Sequence, residues 1–385
     1  MRNTMSSRDE GNIWPFHRRP DGTYDLEHLD DEHFRHFENL LRLALERDII
    51  VQIEVWDRFD FAREHWLANP YRPANNVNYT PESSGLRNEY PRHPGSNDNP
   101  FFRSIPAHDN NRTLLKYQQA QVDRMLTIAL KFPNVLYCMD NETNATAEWG
   151  AYWSDYIRGK ASDAGVEIHT TEMWDNWNIK DATHLRTIDH PDIYSFIDIS
   201  QNNHNKGQQH WDNLQWAWNY IAYQPRPLNH VKIYGADSGR YGSDSDGLER
   251  FWRGLIGGAA SLRFHRPLSG HGLNELAQAH LRSARLLLEQ FDIFNALPDS
   301  ENQRLTNRAE NEGYLSFIEN KQYAVYFPDG GSVQLKLAED VSGSVTIQWL
   351  DIANSRWQEV VDTTTGTNIV LKSPASGHWV ALIRL

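Results

Sequence analysis

The sequence predicts an α/β chain: a (β/α)8 TIM-type barrel over residues 1–297, followed by a small all-β sandwich over residues 298–385. Three observations carry this reading. Apolar runs that end in polar and aromatic residues alternate with stretches of helical period. No GxGxxG turn follows the first such run, which argues against an open doubly wound sheet. After Pro298 the texture changes to short alternating strands separated by Gly, Asp, Asn and Ser turns.

In chain order, Met1 to Ser7 reads as the tail of a strand. A helix follows over 30–47, with Phe34, Phe37, Leu41 and Leu45 on one face and Asp30 placed as its N-cap. IIVQIEVWDRFD (49–60) is the first clear strand. The region from Tyr71 to Asp109 holds six Pro, many Asn and little periodicity. Loops of this length in compact domains are functional or disordered, and Tyr79, Tyr90, Phe101 and Phe102 favour an ordered flap over the strand ends. Further strands are NVLYCMDNE (134–142), VEIHTTEMWDN (166–176), IYSFIDISQNNHN (193–205), VKIYGADSG (231–239) and the weaker GGAASLRFHRP (257–267). Helical patterns lie near 112–132, 145–164, 208–222, 246–256 and 272–291. On this count the barrel is short of its first one to two βα units. YLSFI, QYAVYFP, SVQLKL, SVTIQWLD, NIVLKSP and HWVALIRL then supply the sandwich.

A formal net charge of −13 argues against nucleic acid or an anionic membrane as the main partner, because both attract concentrated positive charge. No run of about 18 apolar residues occurs, and MRNTMSSRDEGN lacks an apolar core, so neither a membrane span nor a signal peptide is visible. The lone Cys138 excludes an internal disulfide and a CxxC metal site. There is no GxSxG elbow, no GxxxxGK loop and no HExxH helix, and no cofactor or metal is called for. The 14 Trp, 16 Tyr and 15 Phe often stand beside Asn, Asp, His or Arg, a pairing that suits the C–H faces and hydroxyl rims of sugar rings. Most of them must nevertheless fill a large core.

In a barrel the carboxyl ends of the strands gather on one face. That places Glu54 and Asp57, Asp140, Asn141 and Glu142, Glu172 and Trp174, Gln201 to His204, Asp237, and Arg263 to Arg266 around one mouth. Two carboxylates facing each other across such a mouth suit glycosidic bond cleavage: one protonates the leaving oxygen and the other attacks carbon or activates water. Gln201, Asn202 and His204 are too polar to end a buried strand without partners and are expected to contact substrate. Arg263, His265 and Arg266 either bind hydroxyls or a sugar carboxylate, or neutralise the acids nearby. Alternation along the strands favours Glu54, Asp140 and Glu142 facing inward. For Glu54 and Asp140 the competing assignment is a buried network with Arg2, Arg8 or Arg263.

The Asn141-Glu142 pair resembles the Asn-Glu of clan A glycoside hydrolases. So does the segment DGTYDLEHLDDEHFRHFENLLRLALERDIIVQIEVWD, which is similar to the second helix and third strand of those barrels. The C-terminal strands resemble the small collagen-binding-like β domain that follows some of them. The resemblance implies a retaining hydrolase of poly- or oligosaccharides in which Glu142 is the general acid/base and Asn141 binds the hydroxyl beside the reacting carbon. Polysaccharide substrates would favour a secreted or periplasmic protein, with a signal upstream of Met1.

One departure stands out. Clan A has a nucleophilic Glu at the end of the seventh strand, where VKIYGADSG offers Asp237. Asp237 can be the nucleophile, Glu172 can replace it, or the pair can be wider and the enzyme inverting. The expectation is that Asp237 completes the pair while Glu172, on the strand next to that of Glu142, raises the acid's pKa by like-charge repulsion. A barrel that binds glycans without cleaving them, or a polysaccharide lyase using His or Tyr as base, are the alternatives.

Overall fold

The computed structural model describes residues 1–385 except 10, 97, 235–240, 266–271 and 339–342, and describes residues 360 and 361 by backbone alone. It divides into two compact units, Met1–Asn176 with Asp181–Ile197, and Trp177–Lys180 with Asp198–Leu385.

The first unit runs β1 (Arg2–Asn3), a hairpin of β2 (Phe16–Arg18) and β3 (Tyr24–Leu29), α1 (Asp31–Leu45), β4 (Val51–Asp57), α2 (Arg63–Ala68), α3 (Pro81–Ser84), α4 (Arg112–Ala129), β5 (Val135–Asn141), α5 (Ala147–Asp163), β6 (Thr170–Thr171) and α6 (Ala182–Ile188). Its main sheet is parallel in the order β1-β4-β5-β6. The run at Met1 to Ser7 therefore includes a strand of the sheet. β4 is buried along its whole length, as a strand covered on both faces must be. Asp30 caps α1 by accepting from the amides of Glu32 and His33. The helix buries Phe34, Phe37, Leu41 and Ala44; its stripe turns onto Ala44 and leaves Leu45 facing solvent.

The Pro-rich region is a wall of this core and not only a cover. Tyr79, Tyr90, Phe101 and Phe102 are all buried. Phe101 packs 4.0 Å from Phe61 and edge-on to Trp56, while Gln118 Nε2 donates to its carbonyl. Side-chain amides thus satisfy a backbone that has no sheet to join.

β7 (Ile197–Asp198) lies at the division. The second unit continues with α7 (Gly207–Tyr220), β8 (Leu228–Ile233), α8 (Asp244–Ile256), β9 (Ser261–Phe264) and α9 (Glu275–Leu288). β7, β8 and β9 form a three-stranded sheet in which β8 and β9 are parallel. Then follow β10 (Leu297–Pro298), β11 (Leu305–Thr306), β12 (Tyr314–Ile318), β13 (Gln322–Phe327), β14 (Ser332–Lys336), β15 (Ser344–Asp351), β16 (Arg356–Thr365), β17 (Asn368–Lys372) and β18 (Trp379–Arg384). They make a six-stranded sheet, β10-β12-β13-β18-β15-β16, and a three-stranded sheet, β11-β14-β17. Among the described residues no helix is long and apolar enough to cross a membrane.

The six-stranded sheet is apolar on both faces. Along β13, Tyr323, Val325 and Phe327 enter the sandwich core, while Ala324 and Tyr326 join a second core with Trp252 of α8 and Leu287 of α9. β18 repeats the pattern, with Ala381 and Ile383 on one side and Val380 and Leu382 on the other. Ser283 of α9 donates to the Ile352 carbonyl at 2.6 Å, and Ser355 returns a bond to Ala279 at 2.8 Å. This shared core explains why the compact division falls at Ile197 and not where the strand texture begins.

A chain ending at Leu297 is therefore expected to aggregate, because α8 and α9 would expose the face that Tyr326, Val380 and Leu382 cover. Size-exclusion chromatography with a hydrophobic dye checks this. A monodisperse truncation that melts cooperatively would refute the shared core. Within the full chain, Tyr326→Ala should cost about 3–5 kcal/mol by chemical denaturation.

Candidate active site

The pairing of β4 with β5 sets the geometry. In register, Glu54 lies opposite Cys138, Trp56 opposite Asp140, and Asp57 opposite Asn141. The last pair is reinforced by side chains, since Asn141 Nδ2 donates to Asp57 Oδ1 at 3.0 Å. Glu54 is fully buried and ion-paired to Arg2 of β1, so it is a structural partner and not a substrate contact. Burial opposes the charge on Arg2, but Glu54, Asp57 and Glu142 together hold its guanidinium protonated.

Glu142, half-buried, follows the last residue of β5 at φ +51°, the left-handed region. For a residue other than Gly this costs about 1 kcal/mol or more and persists only where neighbours enforce it. Here they do. Asn141 is still paired to Asp57, and directly after Glu142 the chain pairs again, Thr143 N donating to Met173 O at 2.8 Å and Asp175 N to Thr143 O at 2.9 Å. Glu142 is the step between two pairings, where the extended backbone of the strand is interrupted.

Asp140 and Glu172 are enclosed instead. Both carboxylates are fully buried, and Glu172 abuts α5 where that helix carries Gly150. A Cβ at Gly150 would lie 2.6 Å from Glu172 Oε2 and 2.7 Å from the Tyr194 hydroxyl. Glu172 Oε1 accepts from the amides of Asp140 and Met173, each at 2.9 Å. Burial pushes Asp140 up to about 7 against the pull of Arg58, and burial with the Asp140 charge raises Glu172 well above the carboxylate range. Arg58, itself buried, lies 3.9 Å over the Phe102 ring. The two acids form a proton-holding pair beneath α5.

Asp57 and Asp60 share one cation: Arg8 Nη1 is 2.8 Å from Asp57 Oδ2 and 2.8 Å from Asp60 Oδ1, and Ser6 donates to Asp60 at 2.8 Å. Burial, followed by the charge of Asp57, pushes Asp60 up to about 7. Trp174 is buried, donates to Thr187 Oγ1 at 2.8 Å and lies beneath Arg186, so it is core and not a sugar platform.

In the second unit, Asn202 is fully buried; it donates to His210 O at 2.9 Å and accepts from Asn213 and Asn205. This corrects its assignment as a substrate contact: its amide ties the turn after β7 to α7. Gln201 is buried beside it. Neighbouring Asn203 receives the Tyr234 amide at 2.9 Å. His204 is exposed and stacks 3.8 Å from Tyr241, and Tyr234 stacks 4.4 Å from His265. Arg263 donates to Val231 O at 3.3 Å, across the β8–β9 pair. Sequence reasoning missed Tyr234, although an aromatic directly after an apolar run was the signal, and Tyr241, for which the sequence offers none. It also missed Arg250, a buried cation that holds the carbonyls of Asn205 and Tyr234. Asp237 and Arg266 lie outside the described residues. Among the described residues no group of His, Cys, Asp and Glu is arranged to hold a metal ion.

No family model matches the chain, and no curated protein matches it in sequence. Solved structures do match in shape. A glycoside hydrolase of family 5 from Bacteroides vulgatus superposes with a TM-score of 0.61 at 10% identity, covering 96% of this chain and 80% of that one. A putative glycoside hydrolase from the same organism gives 0.57 at 10% identity over 98% of this chain and 69% of that one. A third structure, described as a glycoside hydrolase, gives 0.55 at 10% identity over 91% and 89%. The chain therefore shares the fold of these glycoside hydrolases.

The raised carboxyls make stability depend on pH with a definite sign. Asp60 and Asp140 ionise near pH 7 in the native protein against 3.8 for the free side chain. The native state thus holds protons there that the unfolded chain has already released, and the contribution of these two groups to stability falls as pH rises from about 4 to about 7, opposed by the buried His210, His230 and His280, which burial keeps neutral. Asp140→Asn removes one of these ionisations and should flatten the fall, measured as melting temperature from pH 5 to 8. An unchanged slope would show that Asp140 does not hold its proton there.

Proposed function

We propose that the chain is a glycoside hydrolase that cleaves a poly- or oligosaccharide, with Glu142 as general acid/base and Asn141 binding the hydroxyl beside the reacting carbon. The supporting observation is the left-handed backbone of Glu142 at the carboxyl end of a parallel strand, enforced by pairing on both sides. Strain of this kind clusters at functional sites. The fold shared with glycoside hydrolases supports the same reaction class. As the acid, Glu142 gives its proton to the leaving oxygen while a second carboxylate meets the anomeric carbon, and it then takes a proton from the water that releases the sugar. We assign the second carboxylate to Asp237, from its place in the sequence after β8 and the retaining mechanism that the resemblance implies.

One observation favours a second reading, a glycan binder without chemistry. Glu54, Asp57, Asp140 and Glu172 are all committed to partners or to burial inside the first unit. The outcome then rests on Glu142 and Asp237.

Glu142→Gln should keep the wild-type melting temperature and lose about 10²- to 10⁴-fold in turnover on a substrate with a poor leaving group, with a smaller loss on an activated aryl glycoside. Asp237→Ala should abolish turnover and regain part of it with azide, yielding a glycosyl azide of inverted configuration. Equal turnover by wild type and Glu142→Gln removes Glu142 from the mechanism. Glycan binding without hydrolysis by the wild type selects the second reading.

A further inference from the structure

Asp57 is a poor substrate contact and a good orienting group. Its side chain is fully enclosed, Oδ1 accepts from the Phe59 amide at 3.1 Å and from Asn141 Nδ2 at 3.0 Å, and Oδ2 meets Arg8 at 2.8 Å. A carboxylate only accepts, so an amide placed against it must present nitrogen and turn its oxygen away. Arg8 in turn is fixed on the far side by Asp60, which Ser6 also contacts, and its guanidinium lies near the Phe59 ring at 5.8 Å. The chain Asp60, Arg8, Asp57, Asn141 thus runs from the loop after β1 through the end of β4 to the residue that precedes Glu142.

We propose that Asp57, clamped by Arg8, is a positioning residue that fixes the orientation of the Asn141 amide toward the sugar hydroxyl next to the reacting carbon. The proposal rests on the hydrolase reading above. Asp57 touches no substrate; it acts through Asn141. Arg8 holds the Asp57 side chain in one rotamer, and Asp60 keeps Arg8, whose side chain is 24% exposed, from swinging to solvent. Neutral amides at position 57 would accept or donate equally well and leave Asn141 free to flip.

The test compares kcat/KM on a 4-nitrophenyl glycoside that the wild type turns over with kcat/KM on the matching 2-deoxyglycoside. Asp57→Asn should lower the first about 10- to 100-fold, the range for a lost charge-assisted hydrogen bond, and the second less than about 3-fold. Arg8→Gln should show the same selectivity at smaller size, and it serves if Asp57→Asn does not fold. An equal loss on both substrates, or no loss on either, overturns the proposal while leaving the hydrolase reading intact. Absence of wild-type turnover on every glycoside tried overturns both.

Discussion

The first unit depends on how its buried carboxylates are balanced. Glu54, Asp57, Asp60, Asp140 and Glu172 lie inside or nearly so, facing Arg2, Arg8 and Arg58. The three guanidiniums offset part of this negative charge, and burial in a medium that solvates charge badly disfavours the ionised form of Asp60, Asp140 and Glu172. Burial is the main cause in each case, and a neighbouring charge adds to it: Asp57 for Asp60 and for Asp140, and Asp140 for Glu172. Glu54 and Asp57, each with an arginine of its own or shared at short range, form the part of the lattice that faces the end of β5.

This balance constrains packing elsewhere. Glu172 and Tyr194 need the space at Gly150, and α5 can supply it only by placing a residue without a side chain in the middle of its first turns. The same helix must still bury Trp149 and Trp153 against Trp56. Large rings and an absent side chain therefore alternate along one helix face, which is how the aromatic content of the chain is put to structural use around polar groups.

Much of this was legible in the sequence. The helices expected at 30–47, 112–132, 145–164, 208–222, 246–256 and 272–291 are present within a few residues, because each carries a strong apolar stripe. The change of texture near Pro298 coincides with β10. The hairpin at Phe16–Leu29, helix Ala182–Ile188 and strand Arg356–Thr365 were not read, since they are short, polar or masked by a neighbouring pattern. The run 166–176 contributes only Thr170–Thr171 as strand, while Met173 and Asp175 are held by backbone bonds to Thr143. The alternation argument grouped Asp140 with Glu142 on one face, and a period of two holds only while φ stays extended, which the left-handed φ at Glu142 interrupts. Trp174 and Asn202 show the other limit. Residue type alone does not separate a ring that meets a sugar from one that fills a core, or an amide that binds a hydroxyl from one that ties a loop.

The backbone at Glu142 sets the interests of folding and chemistry against each other. Gly or Asn would occupy φ +51° with less strain than Glu, so local stability alone favours replacing the acid. On the hydrolase reading the carboxylate is the reason for Glu at this position, because the conformation by itself gives none.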